Sequence, residues 1–174
     1  MRQKIIETFA EWTSFSSTRS GCPIKSRSEI YPLIKTPEYY KILKGDTSIN
    51  KEEFNTWHKE SSLSIINKNK NINVGWATKL INVYLKTLVY VGQFGRPNLI
   101  ECIHPPIDSG LWKGIFEHYK DDKLLLKQTH FRSKIKDINN YYKDYETIIS
   151  GMEMIASREN CLLIEVEQFW KGTE

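Results

Sequence analysis

The stretch Asn73-Val-Gly-Trp-Ala-Thr-Lys-Leu-Ile-Asn-Val-Tyr-Leu-Lys86, with the five residues that follow it, predicts the central element of the fold. Its strongest helical part runs from about Trp76 to Val91. Apolar residues cover most of the circumference of that helix: Leu80, Ile81, Val83, Tyr84, Leu85, Leu88 and Val89. A helix that is apolar on so many sides is buried in the middle of a domain. We therefore expect the other elements to pack around it.

Outward from this helix, apolar residues at helical spacing and capping signals predict further helices. Ser14 to Ser28 and Asn67 to Asn73 are rich in turn-forming residues and predict loops. The tail 161–170 favours a closing helix, with a strand as the alternative. The predicted helices are Gln3–Phe15, one with Thr36 as N-cap, one capped by Asn50 with Glu53, one capped by Asp108, and Ile138–Ile155. The prediction is a mainly α protein with a single compact helical domain over residues 1–174.

The composition fits an ordinary globular protein. The chain has 174 residues, of which 40% are hydrophobic and 26% charged. No apolar run is long enough to span a membrane, and the first residues lack the apolar region of a signal peptide. Three cysteines without metal-ligand spacing argue against a disulfide framework and a zinc site, and favour a reducing, cytoplasmic setting. A net charge of +4 permits a nucleic-acid partner without requiring one.

Lys79 is the first candidate catalytic residue. It lies near the start of the buried helix, where desolvation and the positive end of the helix dipole disfavour an ammonium. A neutral amine is the form that attacks carbon and makes a Schiff base. The alternative is that Lys79 extends its amine to the surface, as lysines at helix starts do.

Asp108 is the second candidate. It follows two prolines and precedes an apolar helix, which is the position of an N-cap. A carboxylate there could also stabilise the positive charge of a sugar during glycosidic cleavage. The two roles are compatible. His104 is a possible companion, with a structural role as its alternative.

The ordered set Gly75, Lys79, Phe94-Gly-Arg-Pro97 and Ile107-Asp108 resembles the helix-hairpin-helix DNA glycosylase superfamily, and in particular small bacterial proteins similar to 8-oxoguanine DNA glycosylase. The similarity covers Gly75–Trp112. It implies a Lys nucleophile, an Asp partner, no organic cofactor and no metal, and duplex DNA with an extruded base. The chain departs from the family pattern in having a reduced glycine hairpin and a longer interval between Lys79 and Asp108.

Within this resemblance several residues are candidates for nucleic-acid contacts. Gly75 would anchor a phosphate and Trp76 would stack in a pocket. Basic side chains near aromatic residues suit phosphates and bases. The candidates are Gly75, Trp76, Thr78, Lys86, Arg132 and Lys134. The alternative for the aromatic residues is a place in the core.

The function implied by the resemblance is base excision in DNA repair, by a glycosylase or lyase that acts on a modified or damaged base through Lys79 and Asp108. The alternative is a non-catalytic α-helical module that binds nucleic acid or protein, in a mobile-element or defence context. A protein partner is not identified by any motif. No P-loop or dinucleotide-binding fingerprint is present.

Overall fold

The computed structural model describes residues 1–18, 21–130 and 134–172, and every regular element in these ranges is helical. The mainly α prediction is thereby confirmed. The α-helices are α1 (Arg2–Ser16), α2 (Arg27–Ile34), α3 (Tyr40–Leu43), α4 (Lys51–Lys68), α5 (Val74–Leu85), α6 (Leu99–Cys102), α7 (Ser109–His118), α8 (Lys123–Gln128) and α9 (Thr147–Glu159). Two π-helices (Lys86–Val91 and Tyr141–Glu146) and two 3₁₀-helices (Ile135–Asp137 and Leu163–Phe169) complete the order.

Helix α5 is the centre of the fold, and all 12 of its residues are buried. It begins at Val74, slightly before the predicted start, because the Asn73 side chain accepts a hydrogen bond from the Trp76 N–H and caps the helix. The helical path continues without a break into the π-helix Lys86–Val91. The predicted buried helix is therefore present over its whole length, with a wider last turn.

Two apolar clusters lie around α5. The first is formed mainly by α1, α2, α4 and α5, and the second by α7, α9 and the π-helix Tyr141–Glu146. Helix α1 sits close to α5 because Ser14 is small and its hydroxyl donates to the Leu80 carbonyl at 2.8 Å. The N-terminal turn of α5 reaches the second cluster through Val74. The helix thus joins both halves of the core.

Helix α2 was not predicted. Its first residues fall in the stretch expected to be a loop, and its interior contains Pro32. Ser26 starts it by accepting from the Glu29 N–H. The Thr36 hydroxyl donates back to the Pro32 carbonyl at 2.8 Å, so Thr36 closes α2 and does not cap a following helix. The helix predicted there is reduced to Tyr40–Leu43.

The C-terminal segment, residues 163–171, packs against α7 through two glycines. A Cβ at Gly114 would lie 1.5 Å from the Phe169 carbonyl oxygen, and one at Gly110 would lie 2.5 Å from the Lys171 oxygen. The Lys171 N–H donates to the Gly110 carbonyl at 3.1 Å. A side chain at either position would exclude the segment from this place. The segment forms a 3₁₀-helix, which agrees with the helical option for the tail.

Two further observations bear on the predictions from composition. Among the helices of the described ranges, none has both the length and the apolar character needed to cross a membrane. The three cysteines are free thiols, with Cys22 and Cys102 buried.

Candidate functional site

A cleft of about 680 Å³ opens beside α5. Its walls come from α1, α5, the start of α7, the stretch 134–136 and the C-terminal segment. The side chains that line it include four lysines beside Lys79, two acids and three tryptophans: Lys86, Lys134, Lys136, Lys171, Asp108, Glu167, Trp12, Trp76 and Trp170. Basic, acidic and aromatic groups therefore share one concave surface.

Lys79 and Asp108 form an ion pair in this cleft. The Lys79 Nζ lies 3.1 Å from the Asp108 Oδ2, and the two side chains are 10% and 24% exposed. Lys79 projects from the second turn of α5. Asp108 is the N-cap of α7 and accepts from the Leu111 N–H through Oδ1 at 3.1 Å. The capping role and the pairing with Lys79 therefore coexist in one carboxylate.

Trp170 makes a further contact with this carboxylate. Its Nε1–H donates to the Asp108 Oδ1 at 3.0 Å. Asp108 thus accepts from three donors, which are Lys79, Leu111 and Trp170. A carboxylate held by several donors keeps one orientation, because each alternative rotamer would break at least one bond. The C-terminal segment therefore fixes the geometry of the ion pair.

A second ion pair lies in the cleft. Lys86, the first residue of the π-helix, places its Nζ 2.6 Å from the Glu167 Oε1. Burial raises the pKa of Glu167, and the nearby positive charge of Lys86 offsets part of that effect. A π-turn interrupts regular α-helical geometry and is frequent at functional sites. Here it begins at the residue that pairs with Glu167.

Tryptophans form much of the apolar wall. Trp76 is 3% exposed and its ring lies 5.5 Å from the Lys79 Nζ, within range of a cation–π interaction. Trp12 is 48% exposed and stacks on Phe9, with ring centroids 5.8 Å apart and 17° between the planes. The cleft thus has one aromatic ring in its floor and another at its rim.

Two of the predicted nucleic-acid contacts do not face the cleft. The Gly75 N–H donates to the Ile138 carbonyl at 3.0 Å, and a Cβ there would lie 2.2 Å from the Ile135 oxygen. Gly75 lies in the first turn of α5, and its lack of a side chain lets the backbone at Ile135 pack closely against it. Because its N–H already donates to Ile138, that N–H is not free to bind a phosphate. Thr78 is buried and its hydroxyl donates to the Gly75 carbonyl at 3.1 Å.

The other predicted contacts are better placed. Trp76, Lys86 and Lys134 line the cleft with the ion pair. Arg132 lies outside the described residues. The sequence analysis did not identify Glu167, Trp170 or Trp12 as residues of the site. The available sign of an aromatic group there was the Phe-Trp pair near the end of the chain. No pattern in the sequence around that pair connects it to Asp108.

A separate polar network is buried between the two clusters. The His58 Nδ1 lies 2.7 Å from the Tyr141 hydroxyl, and the His58 Nε2 lies 2.8 Å from the Asn82 Oδ1. The Asn82 amide donates to the Pro105 carbonyl at 3.0 Å and to the Tyr145 hydroxyl at 2.9 Å. The network therefore ties α4, α5, the stretch before α7 and the second π-helix together.

The directions of these hydrogen bonds follow from the chemistry of the amide. Because the Asn82 Oδ1 only accepts, the His58 Nε2 carries a proton and its Nδ1 accepts from Tyr141. Burial lowers the pKa of His58 to about 4, with the bond to Asn82 acting in the opposite sense. Tyr145 lies 3.0 Å from the His104 Nδ1, and burial also lowers the pKa of His104. Both imidazoles are neutral structural groups, and His104 is not part of the cleft.

No protein-family model matches the chain, and no curated protein or solved structure is significantly similar to it. Within the described ranges, no three His, Cys, Asp or Glu side chains are grouped so that they could hold a metal ion. The side chains that line the cleft include amines, two carboxyls and aromatic rings. An amine beside a carboxylate can form a Schiff base with a carbonyl or a sugar carbon.

Proposed function

We propose that the protein is a DNA glycosylase with lyase activity that acts on a modified or damaged base. The observation that carries the proposal is the Lys79–Asp108 ion pair in the wall of a cleft that also holds aromatic and basic side chains. Lys79 is the nucleophile, and Asp108 stabilises the positive charge that develops on the sugar. The order of these residues in the resemblance to helix-hairpin-helix glycosylases supports the same assignment.

The reaction requires Lys79 to lose one proton before it attacks. Solvent in the open cleft takes that proton, and Asp108, which contacts the ammonium, stays ionised. The free amine then bonds to the C1′ carbon of the sugar, and the electron pair of the glycosidic bond leaves with the base. Opening of the sugar ring produces the Schiff base from which a strand is cleaved by elimination. Asp108 lowers the energy of the cationic sugar between these states.

The dimensions and charge of the cleft suit an extruded nucleotide. A volume of about 680 Å³ falls in the range of small-molecule pockets. The Trp12 ring is exposed at the rim and offers a stacking surface, while Lys134 and Lys136 offer charges for phosphates. Extrusion of a base costs a few kcal/mol and is least costly for a damaged or unpaired one. Because the Gly75 N–H already donates to the Ile138 carbonyl, we assign the phosphate contacts to Lys134 and Lys136.

Borohydride trapping tests the proposal. The purified protein is incubated with duplexes that carry an abasic site or one of a panel of modified bases, and the imine is reduced to a stable amine. We expect a covalent adduct with the wild-type protein that is lost in Lys79→Gln and strongly reduced in Asp108→Asn. Lys113→Gln, an exposed lysine on α7, is the matched control and should trap normally. An adduct that survives in Lys79→Gln would refute the assignment.

A second candidate function is a helical nucleic-acid-binding module without chemistry. The occupied N–H of Gly75 favours it, because the backbone phosphate contact of the resembling family is missing at that residue. Such a module would bind DNA with an affinity that falls steeply with salt and would give no adduct and no released base. Filter binding over a salt series, run beside the trapping assay, separates the two candidates.

A further inference from the structure

Glu167 is a second carboxyl in the cleft. It belongs to the 3₁₀-helix Leu163–Phe169, and its side chain is 20% exposed. The Lys86 Nζ donates to its Oε1 at 2.6 Å. The resemblance to glycosylases ends at Trp112, so Glu167 lies outside the similar region. The C-terminal segment brings it to the same cleft as Lys79 and Asp108.

The hydrogen bonds of the two carboxyls differ. Asp108 accepts three donors on its two oxygens, and a proton on either oxygen would compete with one of them. Within the described chain, Glu167 accepts from Lys86 on Oε1, and its Oε2 is left to carry a proton. The cleft therefore holds one carboxylate that only accepts hydrogen bonds and one carboxyl that can donate a proton. In enzymes, two carboxyl groups in different environments commonly take these two different roles.

The surroundings of Glu167 shift its pKa upward on balance. Burial raises its pKa, Lys86 and Lys79 act against that rise, and the charge of Asp108 adds to it. The charged groups that share the cleft with Glu167 are Lys79, Lys86, Asp108, Lys134, Lys136 and Lys171. Lys171 is itself paired with Glu117. Lys86 is thus the cation in direct contact, and it holds Glu167 in place.

We propose that Glu167 is the general acid of the cleft and protonates the departing base, while Asp108 remains the charge-stabilising acceptor. This inference rests on the proposed function. In the step, the C1′–N bond breaks and its electron pair stays on the base, which takes the proton from the Glu167 carboxyl. The new bond joins C1′ to the Lys79 amine. Forming the C1′–N bond makes the attacking nitrogen cationic, and the proton that this nitrogen then loses returns Glu167 to its acid form, so charge and atoms balance.

The test compares base release with trapping at a ready-made abasic site, because an abasic site has no base to protonate. We compare the wild type with Glu167→Gln, which keeps an acceptor for Lys86 and cannot donate a carboxyl proton. For base release we use the duplex from the modified-base panel on which the wild type is fastest. General acids contribute about 10²-fold or more, so we expect Glu167→Gln to release the base about 100-fold more slowly while abasic-site trapping is unchanged.

Glu165→Gln is the matched control. Glu165 lies on the same 3₁₀-helix and accepts from the Leu162 N–H, which a Gln side chain can also do. It should behave as wild type in both assays. Equal losses of base release and trapping in Glu167→Gln would indicate a structural role and overturn the inference. Unchanged base release in that variant would overturn it as well.

A readout independent of activity separates this inference from the proposed function. A wild-type protein that neither traps nor releases a base would refute the proposed function. Infrared difference spectra between wild type and Glu167→Gln over a pH series then test the carboxyl directly. We expect a protonated-carboxyl band that persists to a higher pH than that of an ordinary Glu and that Glu165→Gln retains. Absence of that band would overturn the assignment of Glu167 as a proton donor.

Discussion

Replacing Gly114 with Ala tests how the C-terminal segment is held against α7. The added Cβ would lie 1.5 Å from the Phe169 carbonyl oxygen, whereas real Cβ atoms almost never approach within 3.0 Å. The neighbour is backbone and cannot rotate away. One of the two elements must therefore move by at least 1.5 Å, the difference between these distances. Since α7 is anchored in the second apolar cluster, we expect the segment to move.

The cost of that movement can be worked out from the contacts that it breaks. The segment loses the bond from Lys171 to Gly110 and the bond from Trp170 to Asp108, each worth about 1 kcal/mol. Phe169 is partly buried, and losing that burial costs about 1 kcal/mol more. Ala in place of Gly returns about 1 kcal/mol through helix propensity. The net loss in the free energy of unfolding is therefore about 2 kcal/mol.

Urea unfolding followed by far-ultraviolet circular dichroism measures this loss as a lower midpoint. Hydrogen exchange at the Lys171 amide should accelerate at the same time, because its acceptor has moved away. Ser157→Ala on the exposed face of α9 is the control for helix propensity without a clash. A Gly114→Ala protein that is as stable as wild type, with a protected Lys171 amide, would refute the packing argument.

Three further predictions concern polar groups of the core and of the cleft. The pKa of His58 falls from 6.5 to about 4 on folding, so the unfolded chain binds its proton first as the pH falls. As the pH falls from 6.5 to about 4, this group should therefore lower the free energy of unfolding by up to about 3 kcal/mol. Urea midpoints across that pH range measure the loss. Midpoints that do not change with pH would contradict the prediction. Asn82→Ala removes one hydrogen bond from each of three buried partner atoms, and among these atoms of the described chain only the Tyr145 hydroxyl keeps another, to His104. The variant should cost about 3 kcal/mol in urea unfolding, and a loss below about 1 kcal/mol would show that the network is dispensable. Trp170→Phe removes the Nε1–H donor to Asp108, so it should lower the free energy of unfolding by about 1 kcal/mol and slow adduct formation. Trp12→Phe is the control and should not lower stability in the same way. Equal effects of the two variants would argue that Trp170 does not position Asp108.

The parts of the fold that sequence analysis predicted are those set by local pattern. Helix α5 and the Asp108 cap follow from apolar spacing and capping chemistry within a few residues. Helix α2 was not predicted, because its first residues belong to a stretch rich in turn-forming residues and its interior Pro32 removes one backbone hydrogen bond. The capping signal at Thr36, which is equally local, was wrong because Thr36 closes α2.

The candidate site was only partly predictable for a different reason. Lys79 and Asp108 were chosen through their order in a resembling family, and the structure shows that they pair. Glu167 and Trp170 contact residues that are 81 and 62 positions away, and no sequence period connects them. At Gly75 a motif was present but pointed to the wrong contact. A glycine is needed at this position because the Ile135 backbone lies against it, and a sequence motif cannot distinguish such a tertiary contact from a phosphate contact.

The buried network around His58 and Asn82 also has a consequence for the kinetics of folding. Three of its hydrogen bonds join residues 83, 63 and 41 positions apart, so they require long loops to close. We expect such contacts to form after the helices have met, on the native side of the folding barrier. Weakening them should then speed unfolding and leave the folding rate nearly unchanged. The network would in that case lengthen the lifetime of the native state.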